Sequence, residues 1–452
     1  MKRVFSPQTM GPNSRERSFQ DDVKGRVTEL RLLDFHSAPI RTFHLSWLAF
    51  FVCFVAWFGI APLMAIVRDD LKLTKEQIGN TVIASVAITV LARIVIGWLC
   101  DRLGARRTYT GLLALGAIPV MGIGLAHSYQ SFLLFRLAIG LVGASFVITQ
   151  HHTSMMFSSE IVGTANATSA GWGNLGGGVA QWLMPLIAGA FVGFGADRFL
   201  SWRLAMVVPG IAMLITAIFY YRFTQDTPDG RPFRSNRHRE TFWRAASDYR
   251  VWLLFVLYGA CFGVEITIDN VAALYFKDFL HVGLEAAGLL AGATGMMNIF
   301  ARTFGGIIGD WAGRNGGLRA RSLALACLLF LEGLALALFS LQTRLSSAIP
   351  AYLLFGVLVC TACGATYAIV PLLQQDAVGA VSGIVGAGGN AGAVFAGFLF
   401  KAQSITEPRA LFILGIVVSL AAFGALAVRA VKAGVPEGIA EAATAVSAAA
   451  TD

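Results

Sequence analysis

Two arginines carry the chemistry most readily read from this chain. Arg93 in ARIVIGWLCDRLGARR (92–107) and Arg302 in ARTFGGIIGDWAGRNG (301–316) each stand eight residues before an aspartate, Asp101 and Asp310, inside strongly apolar runs. Eight helical residues rise about 12 Å, so if the aspartates mark helix ends, both guanidiniums lie near the middle of a hydrocarbon layer about 30 Å thick. An arginine there costs about 2.5–3.5 kcal/mol even on insertion scales, and two related ones need a partner. Neither run holds an acid at that depth, so a bound anion is the expected partner; a membrane carboxylate or backbone carbonyls are the structural alternative. Guanidinium is planar, permanently charged and weakly hydrated, and its fork of donors fits the two-oxygen edge of a small flat oxyanion. Asn174 and Asn390 reach a similar depth in their own runs, where their amides could donate to an anion or hold the arginines. Around them Gly173, Gly176 and Gly177, and Gly389 and Gly392, would let backbones approach closely, narrow a cavity and leave smooth surfaces for helices to slide.

The elements that must position these residues follow from composition. With 56% hydrophobic and 13% charged residues among 452, the chain departs from soluble domains, which carry about 25% charge. Windows of eighteen or more mostly apolar residues give twelve spans: 44–67, 78–100, 108–126, 132–157, 161–193, 201–221, 250–276, 286–310, 321–341, 350–372, 379–401 and 409–429. The formal charge of +9 concentrates in the tail, alternate loops and the linker, which predicts cytoplasmic termini and gives no support to nucleic-acid binding. Residues 1–43 read as a retained cytoplasmic tail, 44–222 and 250–430 as two six-helix bundles, 223–249 as a cytoplasmic linker and 431–452 as an alanine-rich cytoplasmic tail. The six cysteines all fall in or beside apolar spans, including the Cys360–Cys363 pair, and read as packing, without a disulfide framework, metal site or cofactor. No nucleophile–base set or cofactor site argues for an enzyme.

The two arginine segments are internal copies: Gly97, Asp101 and Gly104 map onto Gly306, Asp310 and Gly313 at the same offset as the arginines, and GNLGG (173–177) maps onto GNAGA (389–393). Two parallel halves result. GWLCDRLGARR (97–107) resembles the loop motif of the major facilitator superfamily, which implies a gating role for Gly97, Asp101, Arg102, Gly104, Arg106 and Arg107: the aspartate against a neighbouring helix N-terminus and the basic residues on carboxylates. Within that superfamily, AGWGNLGGG (170–178), GAGGNAGA (386–393) and YGACFGVEITIDNVAALYF (258–276) resemble signatures of the nitrate/nitrite porter family, especially its high-affinity importers. The resemblance implies an all-α membrane fold of twelve helices in two pseudo-symmetric six-helix bundles. It also implies that Phe146, Tyr258 and Phe262 sandwich the anion, and that Arg136 bears on coupling.

The function so implied is secondary active import of nitrate by alternating access in a bacterial inner membrane, by nitrate/nitrite exchange or proton symport, with a single chain sufficient. A carrier of another small organic or inorganic anion is the alternative; sugar and drug carriers lack the arginine pair. For proton coupling, Glu265 in the seventh span and Asp269 one turn later are the candidates, either of which could instead pair with an arginine. Glu332 in the ninth span reads as a helix-contact residue, and His151 and His152 as proton relay, gate or local hydrogen-bond formers.

Overall fold

The computed structural model describes residues 26–231, 239–282, 284–374, 377–401 and 405–428. The chain crosses back and forth through helices α1 (Ala38–Phe58), α2 (Lys75–Leu103), α3 (Ala105–Leu125), α4 (Tyr129–Met156), α5 (Val162–Gly193), α6 (Arg198–Phe223), α7 (Tyr249–Leu274), α8 (284–316, interrupted by a turn at 298–300), α9 (317–340), α10 (Leu345–Leu373), α11 (Val378–Lys401) and α12 (Glu407–Ala427). Residues Leu289–Ser340 run on as one apolar stretch of 52 residues. At 1.5 Å per residue that is about 78 Å, more than twice a hydrocarbon layer, so the stretch makes two crossings. The reversal falls at Gly316 and Gly317, where φ is −157° and 61° with ψ 20° and −150°, a backbone that only glycine adopts readily at the second position.

Helix starts are set locally. Thr74 and Gln77 form a reciprocal capping box at α2, while the Asp197 and Asp248 carboxylates cap α6 and α7. The first helix departs from expectation: it begins at Ala38, with Pro39 in its first turn where no amide hydrogen is needed, and ends at Phe58. A turn and a short helix, Met64–Leu71, fill the rest of the expected span, closed by Lys72 at φ 51°. Residues 38–43 are thus helix, not tail, and part of the remaining tail is docked: Val27 exchanges backbone hydrogen bonds with Met156 and Ser158 at 3.1 and 3.0 Å. The expected C-terminal tail, 431–452, lies outside the described residues.

Within each half, α1 lies along α5 and α7 along α11; the halves meet where α2 crosses α11 and α5 crosses α8. One face carries residue 26 to the start of α1 and the linker after α6; we call it the linker face, and the opposite one the far face.

Candidate substrate site and its gates

Arg93 on α2 and Arg302 on α8 are fully buried, and both guanidinium carbons lie over one ring, Phe262 of α7, at 5.2 and 5.3 Å from its centroid. The two cations, one from each half, are therefore separated by at most about twice that distance. Arg93 is also 5.1 Å from the Phe146 ring of α4. The rings of Phe146, Tyr258 and Phe262 are within 15–17° of parallel, with Phe146 and Phe262 centroids 5.9 Å apart. A flat ion stacked on both faces needs about 7 Å, twice an ordinary carbon contact. The rings lie closer than that, so they must part before a flat ion can enter between them. Gly389 of α11 makes the slab possible: a Cβ there would stand 2.5 Å from Phe262 Cδ1 and 3.1 Å from Tyr258 Cδ1. Gly389→Ala should push both rings forward and lower transport about tenfold, a shift of about 1.4 kcal/mol, read as initial uptake at constant protein level.

The two arginines are dressed differently. Arg93 donates from Nη1 to the Gly386 carbonyl at 2.5 Å and from Nε to Gly143 at 3.4 Å, while its buried Nη2 has no partner. Among the described residues it forms no ion pair. Arg302 donates from Nη2 to Glu265 Oε2 at 2.5 Å and from Nε to Asn298 Oδ1 at 2.9 Å. Asn298 in turn donates to Glu265 Oε1 at 2.8 Å, and the Cys363 thiol lies 3.3 Å from Oε2. The expectation that an anion alone partners both arginines is therefore corrected for Arg302. A search for acids along the arginines' own helices misses α7, whose carboxylate sits at the same depth one helix away. A buried guanidinium draws whatever carboxylate the packing brings within reach, regardless of chain distance.

The asparagines also differ from expectation in part. Asn174 is buried with both amide atoms unpartnered and borders a cavity of about 570 Å³. Asn390 donates to the Val86 carbonyl on α2 at 3.3 Å, tying the halves together, and its Oδ1 is unpartnered. Neither touches an arginine. The cavity starts at Phe262, Glu265 and Asn298 and widens past exposed Asp269 toward Ala61 and Leu289 at the far face. Arg93 is not on its wall; Phe262 stands between. Arg136 lies apart from the site, donating to the Trp57 carbonyl at 3.3 Å and Ser85 at 3.2 Å.

At the linker face the same two helix crossings are locked. Asp101 accepts from the backbone of Gly379 and Ala380 at 3.0 and 2.8 Å, in the first turn of α11. Asp310 accepts from the Thr164 amide and hydroxyl at 2.6 and 2.7 Å, in the first turn of α5, and from Arg321 at 2.7 Å. Both aspartates use the positive end of a helix belonging to the other half. Gly97 permits the approach, since a Cβ there would stand 3.1 Å from Gly383 Cα. Gly104, at φ 85°, lets α3 start beside Asp226, which accepts from the Arg106 amide at 2.8 Å. The basic residues of this loop do not behave as the resemblance implies. Arg102 covers the Trp98 ring at 5.0 Å, the Arg106 guanidinium lies on Tyr221, and exposed Arg107 lines an apolar lipid-side groove, so none of the three side chains forms an ion pair among the described residues. The glycines Gly173 and Gly176 face Phe50 and Phe51 of α1, Gly177 faces Phe58 at its end, and Gly392 faces Gly259 of α7. They bind helices within a half and are not sliding surfaces between halves. His152 joins Tyr220 and the Gln225 carbonyl at 2.6 and 2.8 Å, and His151 lies 3.4 Å from Asp101.

In a variant keeping Cys100 as its only thiol, Asp101→Ala should raise labelling of that buried cysteine by a permeant reagent tenfold or more, because two charge-assisted bonds of about 1.5–3 kcal/mol each are lost. An unchanged labelling rate would show that the aspartate does not hold the gate. Sequence reasoning missed Asn298 and Tyr367. Asn298 is four residues before Arg302, a spacing that an unbroken helix would put on one face, and so a usable signal even though the helix is interrupted at 298–300. Tyr367, edge-on to Phe146 and Tyr258 at 4.8 and 5.0 Å, had none.

Two helix bundles around a charged central site, open to one face and clamped at the other, define a membrane carrier. The Major Facilitator Superfamily model matches residues 46–397. Over 404 residues the chain is 38% identical to "High affinity nitrate transporter 2.5" of Arabidopsis thaliana, covering 87% of this chain and 80% of that one. It is 27% identical over 473 residues to "Nitrate/nitrite transporter NrtP" of Nostoc punctiforme, covering 87% and 93%. Among solved structures the proton:xylose symporter XylE superposes with a TM-score of 0.69 at 14% identity, covering 86% of this chain and 95% of that one. The chain belongs to the nitrate/nitrite porter family of the major facilitator superfamily, a family of multi-pass membrane transporters and not of enzymes.

Proposed function

We propose that this carrier imports nitrate and accepts nitrite across a bacterial inner membrane, with the linker face and both termini cytoplasmic and the far face outside. The basic residues of the tail, alternate loops and linker favour that orientation. One observation carries the substrate: Arg93 is buried, forms no ion pair among the described residues and keeps Nη2 free beside a slab of parallel rings that would admit a flat ion. Names of the relatives point to the same anion.

The anion enters the outer cavity, reaches Asn298 and Glu265, and displaces Phe262 to lie between the arginines. Arg302 exchanges part of its hold on Glu265 for the anion, and Arg93 gains its missing acceptor. With both cations engaged the halves rock about the site: the Asp101 and Asp310 clamps release and the inner face opens. A single chain supplies every one of these groups.

The test is uptake of labelled nitrate into proteoliposomes. Nitrite should compete with nitrate; tetrahedral sulfate should not, and equal competition by sulfate would overturn the flat slot. Internal nitrite should speed entry if exchange operates, an acid exterior if protons accompany the anion.

A further inference from the structure

Glu332 on α9 is fully buried, and neither carboxylate oxygen has a hydrogen-bond partner. It lies about 16 Å along its helix from Arg321, the residue that holds Asp310 at the linker face. That is close to the depth of Glu265. The titratable groups whose charges act on it are Cys261 and Glu265 of α7 and Cys360 of α10, and it forms no ion pair among the described residues. Toward α12 the adjacent Gly333 abuts Ser419 and Gly415. An ionised carboxylate so placed, buried and without a partner, is strongly disfavoured. The setting favours the neutral, protonated acid.

Resting on the nitrate reading above, we infer that Glu332 is the binding site of a co-transported proton. The argument is charge balance in the occluded carrier. The central groups are Arg93, Arg302, Glu265 and Glu332; Asp269 is exposed on the wall of the open cavity, outside the dry site. With Glu332 protonated, two cations and one anion leave one net positive charge, which one nitrate cancels. With Glu332 ionised and no nitrate, two cations and two anions also cancel. Both neutral forms can pass through a dry occluded state; the proton-loaded carrier without nitrate, and the nitrate-loaded carrier without the proton, cannot. The proton therefore binds first and raises the site's attraction for the anion. The two cross together, and the released proton leaves Glu332 as the carboxylate for the empty return. No bond other than the O–H of Glu332 forms or breaks.

Glu332→Gln fixes the neutral form. Exchange of labelled nitrate across proteoliposomes holding nitrate on both sides should persist within about threefold of wild type and lose its pH dependence. Net uptake driven by an acid exterior should fall at least about a hundredfold, because the empty variant returns with an uncancelled cation. Glu332→Asp should recover gradient-driven uptake. Gradient-driven uptake by the Gln variant near the wild-type rate overturns the inference, and so does equal loss of exchange and net uptake in a monodisperse Gln variant. If the Gln variant does not fold, nitrate affinity of the wild type is titrated from about pH 5 to about pH 9, where a proton bound before nitrate requires a fall approaching tenfold per pH unit at the alkaline end. A flat profile overturns it. Failure of the nitrate reading itself looks different: the wild-type protein would then transport no nitrate in either assay.

Discussion

Arg93→Lys is expected to lower nitrate uptake about a hundredfold or more while leaving the folded protein intact. The guanidinium of Arg93 is spread over four contacts: the Gly386 and Gly143 carbonyls and the faces of Phe146 and Phe262. Its Nη2 has no partner, and is the donor the proposed function assigns to the anion. An ammonium keeps the charge but is a compact, strongly hydrated point, and it cannot hold the α11 carbonyl with one nitrogen while presenting another to the anion. Losing one charge-assisted hydrogen bond removes about 1.5–3 kcal/mol, or roughly tenfold to a hundredfold, and the lost stacking adds to it. Arg302→Lys should also weaken uptake, by about tenfold, since lysine can still satisfy Glu265 but not Asn298 and the anion together. Both are measured as initial rates at matched protein level. Near-normal transport by Arg93→Lys would remove that residue from the site.

How much of this arrangement is readable in the chain follows from which contacts are local. The crossings, the internal repeat and the depth of both arginines rest on periodicity and helical rise, so the helices stand within a few residues of the expected spans except where α1 starts early and α8 runs into α9. A short-range signal also existed for Asn298, one turn from Arg302. The pairing of Arg302 with Glu265 is different in kind. It depends on how α7 rotates against α8, which is fixed by glycine contacts such as Gly259 and Gly263 against α11 and by side-chain packing that no single helix reveals. The same holds for Tyr367, brought to the slab by the end of α10, and for Glu332, whose isolation is a property of three neighbouring helices. The loop arginines went astray because likeness of motif conveys spacing but not which side chains the lipid face claims: Arg102 finds Trp98 on its own helix before any carboxylate.

Glu265→Gln is expected to separate binding from transport. In the present structure Glu265 accepts from Arg302, Asn298 and Cys363 at once, so it anchors the second cation and competes with the anion for it. The amide keeps the volume and its oxygen can still accept from Arg302, but its NH2 meets groups that are themselves donors and it no longer cancels charge. Nitrate then meets two uncompensated guanidiniums instead of one, and its affinity should rise about tenfold, in line with the loss of a competing charge in a poorly screened site. Turnover should move the other way. With Glu332 protonated the loaded variant carries one uncancelled charge, and with Glu332 ionised the empty one carries one too, so the proton-coupled cycle has no neutral form at either end and net uptake should fall about a hundredfold. Equilibrium binding of labelled nitrate to purified protein, set beside uptake by the same preparation, gives both quantities. Weaker binding together with slower transport would mean that Glu265 merely holds Arg302 in place; tighter binding with stalled transport would mean that its charge is what lets the site give up the anion on the inner side.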